Sequence, residues 1–243
     1  MRLTRVYVEE ALTAGTRGLV SGSAANHIAR VLRLGVGDAL TLFDGQGGEY
    51  AARIEALKKD AVVVDVGAHA AIERESPLEV TLAQGVSRGE RMDWVMQKAT
   101  ELGVRRIVPL LTERSMVRLD AHQAQKKWQH WRGIIIAACE QCGRNRLPEL
   151  TTPAEYHEFL GNEAPKDETR LLLSPMASLR IGALKPAKKI TLLIGPEGGL
   201  APDEAAAAFA KSFVGVQLGP RILRTETAAI AALAALQQSY GDI

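Results

Sequence analysis

The chain is short of several things, and each shortage narrows what it can be. It has only two cysteines among 243 residues, which excludes a disulfide-built secreted scaffold. The two, Cys139 and Cys142, have Cys-x-x-Cys spacing. A structural zinc site needs about four ligands, and no second Cys or His pair stands at ligand spacing, so no metal is expected. The plainer reading is two small residues on a helix in a reducing compartment. Aromatics make up only 5% of the chain, so the core must be built from Leu, Val, Ile and Ala. The longest apolar runs, such as Ile134–Cys139 and Ile190–Ile194, are far too short to span a bilayer, and no membrane partner is expected. The opening MRLTRVYVEE lacks the apolar segment of a secretory leader, so a cytoplasmic location is expected. Excess charge is also missing: 30 basic against 28 acidic residues leave a net +2. Any contact with nucleic acid must come from local basic patches.

What is present divides the chain in two. Residues 1–72 are β-rich, with β-branched alternation at Val6, Val8 and Val62–Val66. Asp44-Gly45 and Gly47-Gly48 mark a turn between Leu40–Phe43 and Tyr50–Ile54, as in a meander or small barrel. Ser23–Leu34 is the exception: Ser23 can cap a helix whose apolar stripe is Ile28, Val31 and Leu32, with Arg30 and Arg33 off it. Ala70–Pro77, charged and ending in proline, reads as a linker. Residues 73–243 change grammar. Strands are expected at Leu78–Ala83, Ile107–Leu111, Arg170–Leu173, Ile190–Ile194 and Val214–Leu218. Helices are expected at Asp93–Leu102 (ended by Gly103), Ala121–Glu140, Pro202–Phe209 and Thr225–Ser239. This alternation predicts an α/β fold with a mainly parallel sheet and helices on both faces.

Two segments look chemical. In ITLLIGPEGG (Ile190–Gly199) a buried strand runs into a loop whose glycines let backbone N–H groups approach a ligand. No Gly-Lys-Ser/Thr follows, so it is not a Walker loop, and it lacks the Gly-x-Gly-x-x-Gly dinucleotide fingerprint. Alone it is also compatible with a plain strand-to-helix turn. VQLGPRILRTETA (Val216–Ala228) repeats the shape: strand, Gly-Pro, loop, alanine-rich helix. Thr225 can cap that helix, and Glu226 suits its dipole. Arg221 and Arg224 oppose the dipole, which points to a polar or anionic partner for them. A weaker third segment, LLLSP (Leu171–Pro175), ends another strand. Ligands of open parallel sheets bind beyond the carboxyl ends of strands. If these three strands are neighbours, their loops form one cleft suited to a nucleotide-like ligand.

At these residues the chain resembles a known family. LLIGPEGG with LGPRILRTETAA is similar to the signature of the RsmE family of ribosomal RNA methyltransferases, of the SPOUT class. The segments HIARVLRLGVGD, FDGQGGEY, DWVMQKATELGV, PLLTERS and EQCGRNRLPE resemble the family in the same order, so the likeness covers essentially the whole chain. The resemblance implies a PUA-like β-barrel that helps hold RNA, then a C-terminal domain with a deep trefoil knot that binds S-adenosylmethionine. It implies a homodimer that methylates N3 of a uridine near the decoding centre of 16S ribosomal RNA, within the 30S subunit. A SPOUT enzyme for another RNA, or a non-catalytic RNA-binding assembly factor, are the alternatives.

For that reaction Arg224 is the candidate to stabilise charge on the uracil O2/O4 edge, with Glu197 or Glu226 as base. The cofactor candidates are Leu172, Leu173, Gly195, Gly198, Gly199, Leu218 and Gly219, with Ile222 and Leu223 walling the adenine unless they serve as core. RNA candidates are Arg30, Arg33, Arg88, Arg91, Arg114, Arg118, Arg144 and Arg221. Trp94, Trp128 and Trp131 stack on bases or pack in a core or dimer face.

Overall fold

A computed structural model describes residues 4–163, 165, 167–185 and 187–243. The chain forms two compact units. One runs to Glu75 and takes in Cys139–Leu147; the other holds Ser76–Ala138 and Pro148–Ile243.

The first unit is a curled five-stranded sheet. Its strands are β1 (Arg5–Tyr7), β2 (Thr16–Ser21), β3 (Ala39–Phe43), β4 (Glu49–Leu57) and β5 (Ala61–Ala70), in the order β1-β3-β4-β5-β2. β1 and β3 are parallel and the other pairs antiparallel. Register shifts in the β4–β5 pair sharpen the bend. Val6 of β1 and Val20 of β2, on opposite edges, therefore share one core with Leu40, Leu42, Val62 and Val64.

Between β2 and β3 the expected helix forms, with corrections. It starts at Gly22 directly from β2, so Ser23 lies inside α1 (Gly22–Asn26) and does not cap it; Ser21 holds the cap position without a side-chain bond. From His27 to Val31 the turn widens to a π-helix, with the Leu32 N–H bonded to the His27 carbonyl at 2.9 Å. The extra residue per turn rotates the side chains beyond it. Ile28 stays fully buried while Val31 is 67% exposed, so Val31 leaves the apolar stripe.

Residues 139–147 are tied into this unit by polar contacts. The Arg144 guanidinium is buried and donates to Glu75 at 3.1 and 2.5 Å. Arg5 pairs with Glu49 and donates to the Arg144 carbonyl (3.1 Å) and to Asn145 Oδ1 (2.6 Å). Arg144 is thus a buried structural cation: swinging it out to a surface phosphate would strip the part-buried Glu75 of its partner. Burial pushes the neighbouring Cys139 thiol up to about 12, leaving it protonated and inert.

The second unit is an eight-stranded sheet. Its strands are β6 (Glu79–Gly85), β7 (Arg106–Leu111), β8 (Glu149–Leu150), β9 (Ala154–Glu155), β10 (Glu168–Leu173), β11 (Leu179–Arg180), β12 (Lys189–Ile194) and β13 (Val214–Gln217). They run β11-β13-β10-β12-β6-β7-β8, with β9 also on β7, and all pairs are parallel. The helices are α2 (Glu90–Glu101), α3 (Ala121–Cys142), α4 (Tyr156–Gly161), α5 (Pro202–Ala210) and α6 (Thr225–Tyr240).

Register makes two apolar layers of adjacent residues. Leu172, Leu193, Ala83 and Val108 align across four strands and pack with Tyr156, Leu160, Ala208 and Phe213. One residue earlier, Leu171, Leu192, Leu82 and Ile107 align, face the opposite side and are fully buried. Burial on both faces is why these strands read as continuous apolar runs. Of the three tryptophans, Trp131 is buried and Trp128 is half-buried, with its Nε1 donating to the Leu150 carbonyl at 2.9 Å; only Trp94 is exposed.

Candidate active site

β12 sits beside β10, and β10 beside β13. Because all three are parallel, their carboxyl ends share one edge of the sheet. The loops that leave them, after Leu173, Ile194 and Gln217, converge on a cavity of about 770 Å³. Strands scattered in sequence thus meet at one place, as the three loop motifs require.

Each wall has a local cause. Leu172 and Leu173 close β10 and present apolar surface. The next wall, Gly195 to Gly199, closes as a turn with the Gly199 N–H on the Pro196 carbonyl at 2.9 Å. Gly199 holds φ +68, where a side chain is strained. The loop lies close on β6: a Cβ on Gly85 would stand 2.4 Å from the Pro196 nitrogen. Gly195, Gly198 and Gly199 all line the cavity. The third wall holds Leu218, Gly219, Ile222 and Leu223. Ile222 is 87% exposed, which removes core packing as its role. A Cβ on Gly199 or Gly219 would meet nothing within 4 Å, so both glycines keep space open beside the cavity.

Around this shell stand the charged groups. Glu197 accepts from the Arg91 guanidinium (2.7 Å) and the Arg88 N–H (3.0 Å). Burial works against its charge, but the bonds from Arg88, its own N–H and Arg91 outweigh burial and hold its carboxyl below the usual range. A carboxylate so satisfied is a poor proton acceptor. Glu226 is different. Its Oε2 is buried without a hydrogen-bond partner, and the nearest cation, Arg91 Nε, is 3.9 Å away. Arg224, the residue before α6, is exposed and lines the cavity with Glu226; Arg221 stands exposed nearby. Neither arginine has an acidic partner among the described residues.

Thr225 does not cap α6 as expected. It is the first helical residue, and its hydroxyl donates to the Gly195 carbonyl at 2.7 Å. Gln84, fully buried at the end of β6, backs it with Nε2 donating to Thr225 Oγ1 at 2.9 Å. Sequence reasoning missed Gln84, although a lone polar residue near the end of the strand EVTLAQG was a visible signal. It also missed Glu204. That buried carboxylate accepts from the N–H groups of Ala201 (2.9 Å) and Glu113 (2.8 Å) and so fixes the loop carrying Arg114, whose guanidinium reaches the Gly198 carbonyl at 3.2 Å.

The other basic candidates fall into three groups. Arg88, Arg114 and Arg118 are exposed. Arg91 is half-buried, lines the cavity and serves Glu197. Arg30 and Arg33 are exposed on the first unit, Arg33 with φ 54 just past the π-helix. No group of three or more metal-ligating side chains occurs among the described residues.

A cavity of this size, with aliphatic walls, exposed loop backbone and arginines at its edge, fits an adenosine-type cofactor. Relatives give the same direction. Residues 74–237 match the RNA methyltransferase domain family, and residues 20–67 match the RNA methyltransferase PUA domain. A ribosomal RNA small subunit methyltransferase E of Buchnera aphidicola is 35% identical over 100% of this chain and 98% of its own length. The chain belongs to the ribosomal RNA small subunit methyltransferase E family. Two solved structures are similar over their full length and that of this chain. A putative methyltransferase from Legionella pneumophila, in complex with the cofactor SAM, is 43% identical with a TM-score of 0.96. A ribosomal RNA small subunit methyltransferase E from Neisseria gonorrhoeae, bound to S-adenosyl methionine, is 38% identical with a TM-score of 0.91. The chain therefore carries an N-terminal PUA-like domain and a SPOUT-type methyltransferase fold.

Proposed function

We propose that the chain transfers a methyl group from S-adenosylmethionine to N3 of one uridine of 16S ribosomal RNA near the decoding centre. The observation that carries this reading is the convergence of three strand-end loops on one cavity, with Arg224 and Glu226 at its edge. The cofactor supplies a methyl group on a sulfonium, which leaves as a neutral thioether when the methyl is displaced. Leu172, Leu173, Gly195, Gly198, Gly199, Leu218 and Gly219 hold the cofactor, and Ile222 and Leu223 lie against its adenine.

Uridine N3 carries a weakly acidic proton, so it needs a base. Glu226 takes that proton on its unpartnered Oε2. Glu197, held ionised by Arg88 and Arg91, positions Arg91 instead. As N3 gives up its proton, charge grows on O2 and O4, and Arg224 stabilises it; one such donor is worth about 10²–10³-fold. Arg221 with Arg88, Arg114 and Arg118 holds the RNA backbone, and Arg30 and Arg33 hold it from the PUA-like domain.

We further infer a cytoplasmic homodimer acting on the 30S subunit. No described helix is long and apolar enough to cross a membrane. The α2–α6 face, where Trp94 is 55% exposed beside Ile230, Ala231 and Ala234, supports pairing. The strand order, with β10 between the later strands β12 and β13, supports the knotted path.

Nucleoside mass spectrometry of 16S ribosomal RNA from cells with and without the gene tests the function. Loss of N3-methyluridine with the gene is expected; an unchanged level overturns the reading.

A further inference from the structure

At the start of α6 the chain does something a helix does not require. Thr225 is the first helical residue, one past the cap position that the extended Arg224 holds. Here its hydroxyl leaves the helix and donates to the Gly195 carbonyl, at the head of the Gly195–Gly199 wall. Thr225 Oγ1 in turn accepts from Gln84 Nε2, which also lies 3.1 Å from the Gly85 carbonyl and 3.4 Å from that of Gly195. Both side chains are buried, Gln84 completely. Gly85 leaves no room for a Cβ against Pro196. Three elements are thus locked in one joint: the end of β6, the wall loop and the first turn of α6.

Thr225 stands between Arg224 and Glu226 in sequence. We infer that Thr225, held by Gln84, is a positioning residue that sets the Arg224–Glu226 turn against the Gly195 wall. This rests on the methyl-transfer reading above. The two sides carry different chemistry: the Gly195 wall helps hold the donor, and the Arg224–Glu226 turn carries the groups that act on the acceptor base. A bond between them fixes the distance over which the methyl group travels. Misplacement by about 1 Å costs on the order of 10²-fold in such a reaction. The hydroxyl and the amide are spent on each other and on the Gly195 carbonyl, so the joint acts through the placement of the Arg224–Glu226 turn more than through contact with the cofactor.

The test compares Thr225→Val, Thr225→Ser and Gln84→Met in the full chain. For each, thermal unfolding, the calorimetric dissociation constant for S-adenosylmethionine and kcat on 30S subunits are measured. In Thr225→Val, kcat falls about 10–100-fold, while the dissociation constant stays within about threefold. Thr225→Ser, which keeps the hydroxyl, stays within about threefold of the wild type. Gln84→Met keeps the Thr225–Gly195 bond but frees its support, and loses about three- to tenfold in kcat. A folded Thr225→Val with unchanged kcat overturns the inference, as does a dissociation constant that rises in step with the loss of kcat, or a serine variant as slow as valine. If the valine variant does not fold, Gln84→Met decides: turnover at the wild-type rate overturns it. No transfer by the wild-type chain overturns the methyl-transfer reading itself, whereas normal wild-type transfer with normal variants overturns only the joint.

Discussion

In the loop from Gly195 to Gly199, polar groups are held by the protein: Thr225 holds the Gly195 carbonyl, Gly199 closes on Pro196, and Arg88 with Arg91 fixes Glu197. In the loop from Leu218 to Arg224, Arg221, Ile222 and Arg224 stand exposed, and neither arginine meets an acid among the described residues. Yet the two loops look alike in sequence, each a Gly-Pro after a strand of the parallel sheet. The difference lies in what surrounds them. The first is clamped between β6 and α6 and forms a preorganised wall. The second presents cations and an apolar side chain outward, as groups waiting for a ligand do. Fixed groups cost nothing to order when a ligand arrives; exposed ones gain their partners from it.

The largest effect that sharpens this contrast separates the two carboxylates. Glu226→Gln is expected to lower kcat by about 10²–10⁴-fold, the usual worth of a general base. Glu197→Gln, which removes a carboxylate already committed to Arg91, is expected to lose no more than about tenfold. Equal losses in single-turnover assays would break the comparison.

Gly85→Ala strikes the clamped wall directly. Its Cβ forces Pro196 away, and overpacking of this kind costs about 1–3 kcal/mol. Affinity for S-adenosylmethionine should therefore weaken roughly ten- to a hundredfold by calorimetry, with a smaller effect on kcat at saturation.

Ile222→Ala addresses the presented loop. A side chain 87% exposed contributes little to stability, so Tm should barely move. Loss of the proposed contact with adenine should raise the cofactor dissociation constant only a few-fold, since full burial of an aliphatic side chain is worth about 1.5–3 kcal/mol.

The smallest effect is acid stability. Glu197 has its carboxyl held below the ordinary 4.5 by Arg88 and Arg91, against the opposing pull of burial. Its contribution is present above the ordinary value and is lost as pH falls through the lowered one. As pH falls below the ordinary 4.5 the wild type should lose stability more steeply than Glu197→Gln. Parallel acid limbs in thermal melts would show that the wall is not held by this group.

Much of this was legible in the sequence for physical reasons. The strands at Leu82, Leu172, Leu192 and their neighbours are buried on both faces, so they appear as uninterrupted apolar runs. The Gly-Pro loops showed because backbone exposure needs glycine. What stayed hidden depends on neighbours distant in sequence. The two-residue strands β8, β9 and β11 have no periodicity to read. Ser23 and Thr225 each look like a helix cap, but the chain path and the Gly195 carbonyl decide otherwise. Arg144 looks like any surface arginine until Glu75 buries it. Glu197 and Glu226 were equal candidates until their partners were known: two donors for one, an empty oxygen for the other.

The most direct test of the division between walls is Arg224→Ala, read by calorimetry with S-adenosylmethionine and by single-turnover methyl transfer to 30S subunits. The account predicts a cofactor dissociation constant within about threefold of the wild type and transfer slowed by about 10²–10³-fold. Transfer at the wild-type rate, or loss of cofactor binding in proportion to the loss of transfer, would contradict it.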